Sequence, residues 1–174
     1  MKSITTAALT SAILLIPGIY AQTAAPTTVS VTVGPEASVS VTSSTTTLTS
    51  ATAFANYTGT TSLSYKIRTT PSTGAGTITA LVTRDFSPSG GPSVGSPLAG
   101  DALKYACTVA SPGTACSGSV TASTSTATSV ATFGPDSHSA AAGNSASVAW
   151  TLPNDPAYTA GSYNATVTFT ISAT

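Results

Sequence analysis

The chain has 174 residues, five Lys+Arg against five Asp+Glu, and no net charge at neutral pH. Charged residues make up 6%, against about 25% in ordinary globular proteins. With no basic stripe to neutralise phosphates, nucleic acid is excluded as a partner. Apolar residues reach 41%, which argues against charge-driven disorder.

The N-terminus reads as a cleavable secretory signal over residues 1–21. Lys2 supplies a short basic region, an apolar run follows through Ile16, Pro17-Gly18 breaks it, and Ala21 offers a small residue before Gln22. The run is shorter than the roughly 20 residues a membrane span requires. The expectation is an exported chain with one domain over residues 22–174 and no membrane span.

From there the sequence alternates with period 2, the signature of half-buried strands. Val29, Val31 and Val33 alternate with Ser30 and Thr32, and Val39 and Val41 repeat the phrase beyond Gly34-Pro35. Leu63, Tyr65 and Ile67 form the next apolar row, then Ile78, Ala80 and Val82. A Pro/Gly/Ser-rich stretch, 87–97, has no strand pattern and reads as a mobile surface loop, with a functional loop as the alternative. Val148, Trp150 and Leu152 form another row, and the last strand alternates Tyr163, Ala165, Val167, Phe169 and Ile171 with polar residues. Turn residues separate these runs, and no segment after the signal has useful helical periodicity. Short strands at regular spacing predict an all-β antiparallel sandwich of about eight or nine strands.

Cys107 and Cys116 flank Ser111-Pro112-Gly113, a turn signal. Parity places both sulfurs toward the core across an expected hairpin. In an exported chain without CxxC spacing, a disulfide is expected rather than a metal or redox pair.

Chemistry-bearing residues are sparse. The single histidine, His138, lies between Asp136, Ser137 and Ser139, without the Gly-x-Ser-x-Gly elbow of a hydrolase. The acids Glu36, Asp85, Asp101, Asp136 and Asp155 are scattered, which suits neither zinc, nor a clustered calcium site, nor a carboxylate pair for glycoside hydrolysis. Asp136 and Asp155 sit where side chains cap turns. No catalytic residue, metal ligand or cofactor is therefore expected, and the chain is read as not an enzyme. Asn56-Tyr57-Thr58 and Asn164-Ala165-Thr166 match a glycosylation sequon and are taken as chance matches.

Low charge has a further consequence. Near-zero net charge promotes association, and few Lys or Glu stand ready to guard sheet edges. This reads either as a plain Ser/Thr-rich secreted surface or as a surface meant to assemble.

Cys107 and Cys116, then Val148-Ala149-Trp150-Thr151-Leu152, then the closing Gly161-Ser162-Tyr163 with alternating Thr and apolar residues to Ile171, give the last 70 or so residues a family likeness. The pattern resembles the spore-coat-U-like and pilin-like subunits of bacterial surfaces. The resemblance implies an Ig-like sandwich completed by a strand from a neighbour, with the periplasm or cell surface of a bacterium as its place. It departs from chaperone–usher pilins in closing on Ala173-Thr174 rather than a penultimate Tyr, and in the later position of its cysteines. On this reading Val29, Val31 and Val33 are the candidate donor strand, and the partner is the chain itself or another surface subunit. The alternatives are that this strand pairs within its own domain, and that the protein is a monomeric binding module for a glycan or protein, using loop 87–100 and the loop around His138.

Overall fold

The computed structural model describes residues 24–174. The expected signal, 1–21, lies outside the described residues. The chain divides into two units, one ending at Thr32 and one running from Val33 to Thr174. The described part of the first, 24–32, contains no strand and is exposed throughout.

The second unit is all β, with ten strands in two antiparallel sheets. The first sheet contains β1 (Glu36–Val41), β2 (Thr49–Ser50), β3 (Tyr57–Arg68), β9 (Asn144–Leu152), β5 (Lys104–Val109) and β7 (Val120–Thr121). Its order is β1-β3-β9-β5-β7, with β2 beside β3. The second sheet runs β10-β4-β8-β6, from β10 (Asn164–Ala173), β4 (Gly76–Ser87), β8 (Thr128–Phe133) and β6 (Thr114–Ala115). Three two-residue strands bring the number above the eight or nine expected.

The predicted apolar rows form the core. Leu63, Tyr65 and Ile67 on β3, Ile78, Ala80 and Val82 on β4, and Val148, Trp150 and Leu152 on β9 are all buried. Aromatic rings lock the two central strands to their neighbours: Tyr65 meets Phe133 at 5.2 Å between centroids, and Tyr105 meets Trp150 edge-on at 5.1 Å. The polar tips are satisfied inside. Trp150 Nε1 donates to Thr61 Oγ1 at 2.8 Å, and Tyr105 OH donates to Thr128 Oγ1 at 2.7 Å. Burial pushes the Tyr65 and Tyr105 phenols above their ordinary pKa, so both remain neutral donors.

Cys107 and Cys116 are joined by a disulfide with Cα atoms 5.5 Å apart. The expected hairpin around it is corrected. β5 pairs with β9 and β7, whereas β6 pairs with β8 in the other sheet. The chain between them crosses from sheet to sheet, and Cys116 follows β6 with its N–H donating to Val130 O. Gly113 makes the crossing tight: a Cβ there would come within 2.5 Å of the Val109 side chain and 2.9 Å of the Phe133 ring. The disulfide is thus an inter-sheet tie.

The long segment after β4 is also corrected from a mobile loop to an anchored one. Asp85, near the end of β4, accepts from the backbone N–H of Phe86, Val94 and Gly95 and from the Ser93 hydroxyl, at 2.7–2.9 Å. Tyr163 lies over Gly91, where a Cβ would approach the ring to 2.4 Å, and Thr159 N–H donates to Gly90 O. Tyr158 OH donates to the buried Asp101 at 2.8 Å. Burial raises the Asp85 carboxyl, but its hydrogen bonds together outweigh this and hold its pKa below the ordinary value. A depressed carboxylate stabilises above its unfolded pKa, about 3.9, and the contribution is lost as pH falls through the folded value. Loop 87–97 is therefore expected to become protease-sensitive below about pH 4. Asp85→Asn should produce the same sensitivity at neutral pH, with a loss of about 1–2 kcal/mol read by thermal melting.

Candidate functional site

β1 and β10 are the edge strands on one side of the sandwich, one in each sheet, and they touch each other. Among the described residues β10 pairs with β4 alone. It is ten residues long, Asn164–Ala173, and carries no charge. Its inward row, Ala165, Val167, Phe169, Ile171 and Ala173, is only half-buried, whereas the facing inward row of β4 from Gly76 to Val82 is fully buried. The inward residues of β1, Ala37 and Val39, are half-buried too. The core is thus complete in the middle of the sandwich and thinly covered along this side. A free edge that is long and uncharged is a template for pairing with another strand.

The candidate donor residues have the complementary character. Val29, Val31 and Val33 lie outside any strand, with 91%, 84% and 61% of their surface exposed. Single exposed apolar residues are ordinary, but three in strand alternation, with Ser30 and Thr32 between them, form one apolar row.

Two loops were the alternative candidates. The first, 87–100, lies where Ser87 meets Asn164, while the His138 loop lies where Gly76 meets Phe133 and Ala173. β4 runs between them, 12 residues or roughly 40 Å, so the two loops are not brought together. At the His138 loop, Nε2 lies 2.8 Å from Asp136 Oδ1, with both side chains exposed. Ser137 is turned away: its hydroxyl donates to Gly134 O, and its N–H donates to Thr69 Oγ1. These bonds close a turn, aided by Asp136 in a left-handed conformation with φ of 55°. Asp155 accepts from Ala157 N–H, which is also turn capping. Among the described residues no three His, Cys, Asp or Glu are grouped to hold a metal.

Sequence reasoning missed the open side of the sandwich. The alternation of β10 was visible, but whether a strand has one neighbour or two leaves no mark on it when the exposed face is Thr and Ser in either case.

Fold and edge together place the chain in the class of all-β disulfide-tied sandwiches with a long edge strand that, among the described residues, is paired on one side. Comparison with protein-family models, with curated proteins and with solved structures finds no match. Among the described residues no helix is long and apolar enough to cross a membrane.

Proposed function

We propose that this protein is a secreted structural subunit of a bacterial surface that assembles by strand donation, the 29–33 segment of one copy adding to β10 of the next. The observation that carries the reading is the uncharged ten-residue edge of β10 with its inward row half-covered. Strand addition uses main-chain hydrogen bonds for affinity and alternate side chains for specificity, and Val29, Val31 and Val33 supply an alternating row. Donor and acceptor are different surfaces, so the contact is heterologous and propagates as an open chain rather than closing a dimer. The inter-sheet disulfide suits an oxidising compartment.

The test compares the mature chain with one lacking residues 22–33 and with Val31→Asp. The full chain is expected to form ladders on mild SDS gels or filaments in electron micrographs. Both variants are expected to remain monomeric and to melt like the wild-type monomer, since the segment contributes no strand to its own sandwich. A full chain that stays monomeric at all concentrations overturns the reading.

The anchoring of loop 87–97 by Asp85 favours a second reading, a monomeric module binding a glycan or protein through that rigid loop. A ligand-dependent rise in melting temperature of a stable monomer would select it.

A further inference from the structure

The base of the valine segment is held at one point. Arg68, the last residue of β3, donates from Nε to Gly34 O at 2.7 Å and pairs with Glu36 Oε2 at 3.1 Å. β1 starts at Glu36, opposite Arg68. That end of the sandwich is also where β10 finishes, because Thr70 N–H donates to Thr174 O at 3.0 Å. The chain's own β10 edge therefore ends close to where its own valine segment begins, and closure within one chain would compete with donation to another.

Reach decides between them. A strand added beside β10 lies one sheet away from β1, about 10 Å, and one strand spacing to the side, about 4.8 Å, or roughly 11 Å in all. Successive Cα atoms are about 3.8 Å apart. With Gly34 held at β3, Val33 can move about one such step, far short of its own β10. With Gly34 released, the three steps from Glu36 to Val33 span about 10–11 Å, just enough for all three valines to enter.

We propose that Arg68 directs assembly between chains: by holding Gly34 it keeps Val33 off its own β10 edge and leaves the complete valine row to the β10 edge of a second copy. This rests on the strand-donation reading and adds to it the residue that selects the partner. An arginine suits the role because its planar fork serves the Gly34 carbonyl and the Glu36 carboxylate together. Lysine offers a single point charge.

The experiment compares wild type, Arg68→Ala and Arg68→Lys of the mature chain by size-exclusion chromatography with light scattering over a concentration series. Hydrogen exchange of residues 29–33 is measured in the monomer fraction of each. Arg68→Ala is expected to lower the polymer share about three- to tenfold, the range for loss of an exposed hydrogen-bonded ion pair, with Arg68→Lys between it and wild type. The Arg68→Ala monomer is expected to show new protection at 29–33, which a merely destabilised sandwich would not. If Arg68→Ala fails to fold, Arg68→Lys carries the same comparison. Equal polymerisation of wild type and variants, with 29–33 unprotected in every monomer, overturns the role of Arg68 while leaving strand donation standing. A monomeric wild type overturns strand donation itself.

Discussion

Trp150→Ala is expected to cost about 3–5 kcal/mol, the range for removing a buried aromatic side chain without refilling its site. Trp150 is 5% exposed and lies on β9, the central strand of the larger sheet, between β3 and β5. Its ring packs on Tyr105, and its indole N–H is a partner of Thr61 Oγ1, itself buried. The substitution removes the packing and one of the two hydrogen bonds of the Thr61 hydroxyl together; the other is shared with Thr46 Oγ1 at 2.7 Å. In a domain of this size a kcal/mol corresponds to roughly 2–4 °C, so the melting temperature should fall by about 10–15 °C. Trp150→Phe keeps most of the volume and loses the N–H, and is expected to fall between the two. Equal melting of all three forms would show that β9 is not the centre of the core.

Removing the disulfide has the second large effect. The pair closes a loop with a sequence separation of 9, and loss of that constraint costs about 2.5–3 kcal/mol in the chain-entropy model. The inter-sheet position adds a local consequence. β6 and β7 are each two residues long, so few ladder hydrogen bonds besides the tie fix this side of the sandwich. The Cys107→Ala/Cys116→Ala double variant is therefore expected to melt about 6–10 °C lower, with early amide exchange in 110–121 and late exchange in β3 and β9. Uniform exchange across both sheets would instead mean that the disulfide stabilises only through the unfolded chain. A reducing agent should reproduce the effect in the wild type and leave the double variant unchanged.

These two expectations concern the interior, whereas the proposed assembly lies at its margin, and the two are separable. Val31→Asp and the 22–33 truncation should remove polymer and leave the melting of the monomer intact, while Trp150→Ala should lower the monomer's melting first and polymer only as the acceptor edge unfolds.

The amino-acid sequence by itself determined the all-β class, because an apolar residue at every second position buries one face of a strand and nothing else. It located β9 and β10 closely and the inward apolar rows of β3 and β4, though β3 starts earlier, at Tyr57, and β4 runs on to Ser87, and it identified the disulfide partners, since only two cysteines are present. It did not reveal β8. There Val130 and Ala131 are adjacent and both buried, because the ladder with β4 shifts register between Ile78 and Thr79, and such a bulge erases the period of 2. It suggested a hairpin at Pro112-Gly113, but a turn signal does not say whether the return strand joins the same sheet or the opposite one. It read 87–97 as mobile from composition, because the carboxylate that organises the loop, Asp85, belongs to the preceding strand and its pattern of acceptors forms only when the chain folds back. Only the tertiary structure decided which strands stand at an edge among the described residues. Edge position depends on the order of strands in the sheet, a long-range property, whereas the alternation of apolar residues records only which face of a strand is buried.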